Sequence, residues 1–227
     1  MIHYDRRMRA LAIALAMLAG FVDAIGFLRL GGMFVSFMSG NSTRLAVGIA
    51  MRSGAALLAA SLIAAFIGGV VAGSLLSASA PRRRKSLVLV AVAILLAAAA
   101  LLAHWHFERT AVPAMALAMG CANTVFQRDG EVSVGVTYMT GALVKTGQRI
   151  GAALLGGDPL GWLPYLLLWL GLVAGGIVGA ISYAYIGMAG LWAASAAAFV
   201  LAAVAPRAPA PRDDPPTGRS FRSSISR

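Results

Sequence analysis

Windows of about 18–20 apolar residues recur along almost the whole chain, and a helix of that length spans the hydrocarbon of a bilayer. ALAIALAMLAGFVDAIGFL (10–28) is one such run. Hydrophobic residues make up 59% of the chain and charged residues 12%. A soluble domain would show periodic helices with one charged face, and few segments here do. The pattern predicts an all-α, multi-pass membrane protein with one polytopic domain over 1–205. Its apolar segments fall at 8–28, 33–52, 55–78, 86–103, 111–127, 132–155, 161–183 and 187–205. The first resembles a signal peptide, basic and then apolar. Its apolar run continues through Phe21, Val22 and Ile25 without a clear small-x-small site, so an uncleaved first helix is expected. The remainder, 206–227, is rich in Pro, Arg and Ser, cannot bury a core, and reads as a disordered basic tail.

The formal net charge is +11. In a soluble protein that would point to nucleic acid. Here the basic residues gather at segment ends and in the tail, so they orient helices and meet lipid headgroups instead, and no nucleic-acid partner is expected. Cys121 stands alone in an apolar segment and reads as a small buried residue.

Against this background FMSGNSTR (37–44) is anomalous, crowding Ser39, Asn41, Ser42, Thr43 and Arg44 into six positions of a hydrophobic run. The anomaly occurs twice. VSFMSG (35–40) matches VTYMTG (136–141) position by position, and a base follows each Gly by four residues: Arg44 after Gly40, Lys145 after Gly141. Gly20 and Asp23 correspond to Gly120 and Asn123. FIGGVVAG (66–73) aligns with WLGLVAGG (169–176), setting Gly68 on Gly171 and Gly73 on Gly176. These matches predict an internal duplication with halves at about 8–103 and 111–205.

If both polar stretches span, there are eight crossings, and Arg82, Arg83, Arg84 and Lys85 fall outside when the N-terminus is inside. If both enter and return, each half crosses three times. The positive-inside rule then holds for Arg6, Arg7, Arg9, the 82–85 cluster and the five tail arginines. The charges prefer this second arrangement: about six transmembrane helices plus two broken, re-entrant segments in an inverted repeat, with both termini cytoplasmic. Interrupted hydrophobic segments at matching places of two inverted halves are a transporter signature. Polar, irregular backbone at membrane depth is tolerated only where protein or a water-filled cavity satisfies it.

Several residues follow as candidates for a path or repeat interface. Ser39-Gly40-Asn41 is expected to break the helix, with Ser39 or Asn41 capping a half-helix that starts near Thr43. That N-terminus and Arg44 would favour an anion or carboxylate. Thr140, Gly141 and Lys145 repeat the arrangement, with Ala142 in place of Asn41. Asp23 is an intramembrane carboxylate, which is costly unless paired, and Arg44 is its expected partner. Asn123 keeps the shape without the charge. Gly68, Gly73, Gly171, Gly175 and Gly176 have small-xxx-small spacing and are expected to pack helices. His104, His106 and Glu108 lie in a short loop beside Trp105 and Phe107. Interfacial anchoring explains them better than metal ligation, so no metal and no cofactor are expected. No phosphate cradle, nucleophile–His–acid set or intramembrane carboxylate pair is found, so no enzyme is expected.

GFVDAIGFLRLGGMFVSFMSGN (20–41) and GCANTVFQRDGEVSVGVTYMTGALV (120–144) resemble the YoaK family of bacterial multi-pass membrane proteins. Asp23, Gly40, Asn41, Asn123, Thr140 and Gly141 match the family pattern as it stands here. Ser39 replaces a Thr, and Ala122 stands where a Gln is usual. The resemblance implies a bacterial inner-membrane protein of unassigned function. The interrupted inverted repeat adds the expectation of a small-solute transporter or channel; the alternative is a non-transporting scaffold or sensor. Reporter fusions after Lys85 and after Pro206 are both expected to read as cytoplasmic. An opposite reading after Lys85 would favour eight crossings.

Overall fold

The computed structural model describes residues 6–128, 131–132 and 135–205; the expected disordered tail, 206–227, lies outside the described residues. The chain forms α1 (Arg6–Arg29), α2 (Met38–Ala50), α3 (Ala55–Ser79), α4 (Arg84–His104), α5 (Glu108–Ala122), α6 (Met139–Leu154), α7 (Leu163–Ile186) and α8 (Gly190–Val204). A two-residue antiparallel pair, Gln127–Arg128 with Glu131–Val132, interrupts the connection from α5 to α6. The protein is an all-α membrane protein. Among the described residues, four stretches are long and apolar enough to cross a bilayer: Arg6–Arg29, Ala55–Ser79, Arg84–His104 and Leu163–Val204. The last joins α7 and α8 through a single 3-10 turn, Gly187–Ala189, where Gly187 takes φ +58°. Glycine occupies that left-handed region without a Cβ penalty, so the chain can turn there.

α1, α4, α5 and α8 supply most of the buried core, including Leu15, Val22, Ile25, Val92, Leu96, Met115, Met119 and Leu191. α7 lies along α1 and α3 along α5. Both pairs run parallel, because the contacts advance together: Gly171, Gly175 and Gly179 meet Ile13, Met17 and Phe21, while Gly69 and Gly73 meet Leu117 and Cys121. α4 and α8 run antiparallel. His104 shares a cavity with Gly187, and further along Ser195 Oγ donates to the Ala93 carbonyl at 2.8 Å. Lys85 Nζ lies 3.2 Å from Met8 Sδ, so α1 and α4 start at the same end of the bundle. At the other end Arg29, where α1 finishes, shares a cavity with Gly54 and Leu57 at the start of α3 and Arg109 at the start of α5. The chain therefore leaves α1 and enters α3 at one end of the bundle, with the 13-residue α2 in between. α2 is about 20 Å long, short of a roughly 30 Å core.

In lipid there is no hydrophobic drive between helices, so close backbone packing by small residues holds such pairs. A Cβ on Gly20 would collide with the Leu172 carbonyl oxygen, and one on Gly175 with that of Met17. Likewise a Cβ on Gly120 would collide with the Phe66 carbonyl, and one on Gly69 with that of Leu117. The two pairs of contacts are reciprocal. They correct the alignment expected from sequence, which set Gly68 on Gly171 and Gly73 on Gly176. In contact terms Gly69 plays the part of Gly175, and Gly73 that of Gly179. Gly73, Gly171 and Gly175 do pack helices, but nothing lies within 4 Å of a Cβ on Gly68, and a Cβ on Gly176 makes only an ordinary 3.7 Å contact. A run of small residues allows several registers, and only the facing helix selects one.

The linkers differ in length. Residues 51–54 join α2 to α3, and Gly48 is pressed against the Ala56 amide, 2.7 Å from where a Cβ would sit. Residues 155–162 join α6 to α7 and include Gly156 at φ +89°. Gly175→Leu and Gly69→Leu are each expected to destabilise the detergent-purified protein by about 3 kcal/mol or to prevent assembly. Gly68→Leu should leave the melting temperature almost unchanged. Equal effects at all three positions would remove the backbone-contact account.

Candidate functional site

The polar stretch after α1 is a loop that folds back along its own helix. Gly31 and Gly32 take φ +61° and +107°, and the Gly32 amide donates to the Phe27 carbonyl at 2.8 Å, closing the reversal. Val35 then packs on Gly26, where a Cβ would lie 2.7 Å from Val35 Cγ1. This brings the loop level with Asp23. The Val35 and Ser36 amides donate to Asp23 Oδ1 at 2.8 and 2.9 Å, and Ser36 Oγ donates to Oδ2. Three donors, one of them a hydroxyl, share the carboxylate charge. Hydrogen bonds of this kind are stronger than neutral ones.

Asn41 closes the same loop from the other side. It is fully buried, donates through Nδ2 to the Phe34 carbonyl at 2.6 Å and accepts from the Phe34 amide at 3.0 Å. The rings of Phe27, Phe34 and Phe37 pack in series, with centroids 5.0 and 5.3 Å apart. α2 begins at Met38, not near Thr43, and neither Ser39 nor Asn41 caps it; Phe37 stands at the N-cap without a side-chain hydrogen bond. The expected cap is absent because Asn41 is committed to Phe34.

A similar turn precedes α6. Met38 N–H to Ser36 O (3.1 Å) is matched by Met139 N–H to Thr137 O (3.0 Å), and Asn41 N–H to Phe37 O (3.3 Å) by Ala142 N–H to Tyr138 O (3.2 Å). Asn123, buried at the end of α5, accepts from Thr137 Oγ1 at 3.2 Å and donates to the Met119 carbonyl at 3.0 Å. Asp23 and Asn123 thus do the same work, each holding the hydroxyl residue that precedes a short helix. Among the described residues, Asp23 receives three hydrogen bonds on a carboxylate where Asn123 receives one neutral bond. α6 begins at Met139, again with an uncapped aromatic, Tyr138, ahead of it.

The two turns face each other across one cavity of about 310 Å³. Its wall carries the hydroxyl residues Ser36, Ser39, Thr137 and Thr140, the rings of Phe37, Phe66 and Tyr138, and Gly141. Phe66 lies at the middle of the 25-residue α3, which sets the cavity at mid-height of the bundle. None of the described lining residues is charged. Of the residues expected from sequence, Ser39, Thr140 and Gly141 line the cavity. Asp23 and Asn123 support it from behind through Ser36 and Thr137, and Asn41 shapes the loop. Gly40 packs against Phe37 and Phe34.

Arg44 and Lys145 are not among the lining residues. The Arg44 guanidinium lies over Gly32, 2.8 Å from where a Cβ would sit, and Lys145 Nζ lies 5.7 Å from the centre of the Tyr165 ring. The expected Asp23–Arg44 ion pair is therefore corrected: loop amides and Ser36 satisfy Asp23, and Arg44 turns toward the Gly31-Gly32 reversal. Sequence reasoning did not single out Ser36, Thr137, Phe37, Tyr138 or Phe66. The first four stood in the matched VSFMSG and VTYMTG, where the paired hydroxyl and aromatic positions were the available signal. Among the described residues, no three His, Cys, Asp or Glu side chains are grouped for a metal.

Asp23→Asn and Ser36→Ala are expected to be coupled by about 1.5–3 kcal/mol in a double-mutant cycle on thermal stability, as for a hydrogen bond to a charged group. The cycle of Asp23→Asn with Arg44→Gln should be additive within about 0.5 kcal/mol. A large Asp23–Arg44 coupling would restore the ion pair.

Residues 11–204 match the family described as "Protein of unknown function (DUF1275)". The chain is 37% identical over 200 residues to the "UPF0700 transmembrane protein RA0705" of Rhizobium meliloti (strain 1021), covering 86% of this chain and 85% of that protein. No solved structure matches it. With the match running through nearly all of the described helices, the chain belongs to the DUF1275 family, whose function is unassigned.

Proposed function

We propose that the protein is a small-solute transporter or channel whose path passes through the cavity between the starts of α2 and α6. The observation that carries this reading is the meeting of two short helices, one from each half, at mid-height of the bundle around a cavity whose wall combines four hydroxyl residues with three aromatic rings and the side chains of Met38 and Met139. Binding sites of many transporters lie near the bilayer midplane, where half-helices from two repeats converge. The volume is at the lower end of the roughly 300–1,000 Å³ typical of ligand pockets. Hydroxyls, aromatic rings and helix N-termini suit a small polar solute. The protein acts without covalent chemistry and without a cofactor.

The reading includes six crossings, with α2 and α6 entering and returning, and an inverted internal repeat. Support comes from the helix directions: α1 and α7 parallel, α3 and α5 parallel, α1 and α3 meeting at one end of the bundle. The reciprocal glycine contacts support the repeat. In this arrangement Lys85 shares a side with Met8, which suits a cytoplasmic placement of the basic clusters and of both termini. The bacterial relative, named as a transmembrane protein, supports an inner-membrane location.

Single cysteines at Ser39 and Thr140, in a Cys121→Ser background, test the path. Both are expected to react with a membrane-impermeant thiol reagent in intact membranes, while Gly68→Cys should stay unlabelled. Protection of both positions from either side would sink the path and leave a membrane scaffold or sensor, with its basic tail as the contact surface.

A further inference from the structure

Between α1, α7 and α8 the bundle is hollowed into a groove of about 480 Å³. Its wall includes Ala14, Met17 and Phe21 of α1, Val178 of α7 and Val200 of α8, and every described lining residue is apolar. Met17, Val178 and Val200 are exposed, so the groove opens outward and not into the bundle. It exists because α8 brings Ala193, Ala194 and Ala197 toward α1, and side chains that short leave the space between the helices unfilled. The groove runs along the helix axes: Ala14 to Phe21 on α1, and Leu201 back to Ala193 on α8, each cover about 10–12 Å. Ala14 and Leu201 mark the end where α1 starts. α8 finishes there because it runs antiparallel to α4, which starts beside α1. Followed toward the start of α1, the stripe of Phe21, Met17 and Ala14 continues through Ala10 to Arg7, and both of these are exposed. Arg7 therefore stands over the mouth of the groove, about 10 Å beyond Ala14 along the axis. Among the described residues it has no hydrogen-bond or ion-pair partner. Arg6, Arg82 and Arg83 are exposed at the same end of the bundle.

We propose that the groove holds an acyl chain of an anionic phospholipid whose phosphate meets Arg7. Wall and mouth ask for opposite chemistries. The apolar wall, at membrane depth, offers nothing to a polar ligand. The guanidinium at its mouth engages phosphate through paired N–H donors. A phospholipid carries both parts in one molecule, joined through glycerol, so each end of the site holds one end of the ligand. In a zwitterionic lipid the choline ammonium offsets the phosphate. The exposed arginines around the mouth therefore select a headgroup of net negative charge. The site faces outward and lies apart from the central cavity, so it does not depend on a path through the protein.

The test uses the full chain in detergent, incubated with equal amounts of dioleoyl phosphatidylglycerol and dioleoyl phosphatidylcholine and released from its micelles for native mass spectrometry. The monomer is expected to retain phosphatidylglycerol in clear preference to phosphatidylcholine. Arg7→Gln removes the charge and leaves the groove, whereas Ala197→Phe fills the groove and leaves the charge. Each is expected to lower the retained phosphatidylglycerol about tenfold or more. Both side chains are exposed, so the melting temperature in lipid-free detergent should stay unchanged in both variants. Four results would overturn the proposal: equal retention of the two lipids, no retained lipid, phosphatidylglycerol retention unchanged in either variant, or dimeric ions that Ala197→Phe abolishes. The last would assign the groove to a second copy of the chain.

Discussion

The carboxylate of Asp23 satisfies the backbone of the loop that folds back along α1. A chain that leaves a membrane helix and turns back beside it carries amides that the helix ladder no longer serves. Each such group left bare at that depth costs several kcal/mol. Asp23 accepts the amides of Val35 and Ser36 and fixes the Ser36 hydroxyl, and Asn41 completes the set at Phe34. The position of α2, and so one wall of the central cavity, depends on that exchange. A carboxylate is suited to it because it accepts without donating, and several donors can gather on its two oxygens.

The bundle around the loops is assembled by contacts of another kind. Five glycine–carbonyl approaches, at Gly20, Gly69, Gly120, Gly175 and Gly179, bring α7 onto α1 and α3 onto α5 at backbone distance. α1 from the early part of the chain packs on α7 from the late part, and α5 packs back on α3, so the two parts are interlocked and the central cavity lies where they meet. A side chain added at Gly69 or Gly175 would act on the cavity from a distance, by separating the helices that set its width.

Much of this architecture could be read from the residues. Apolar length gave eight helices in the right order, though α2 and α6 start five and seven residues later than expected, and the paired VSFMSG and VTYMTG gave the two turns that face each other. What could not be read was mostly backbone. Asp23 invited a cationic partner because side chains are visible in a sequence, whereas the amides that satisfy it belong to Val35 and Ser36, whose identities advertise nothing. The helix starts were missed because Phe37 and Tyr138 are not capping residues, and the polar residues that could cap lie inside the first turn. The glycine register was off by three residues because small residues crowd those helices, and only the opposing carbonyls distinguish Gly69 from Gly68. Thr137 and Ser36 were within reach: a hydroxyl kept at matching positions of two copies, with an acceptor kept at matching positions upstream, is a contact written twice.

The unequal linkers divide the labour between the cavity's two walls. The α2 wall is clamped at both ends, by the bonds of Asp23 at its start and by the four-residue turn that presses Gly48 onto Ala56 at its finish. Among the described residues, the start of α6 is held by one neutral hydrogen bond from Thr137, and an eight-residue linker with a left-handed glycine follows its end. The cavity is therefore bounded by two short helices whose ends are tied unequally, one by a charge-assisted cluster and a tight turn and the other by a neutral contact and a longer span.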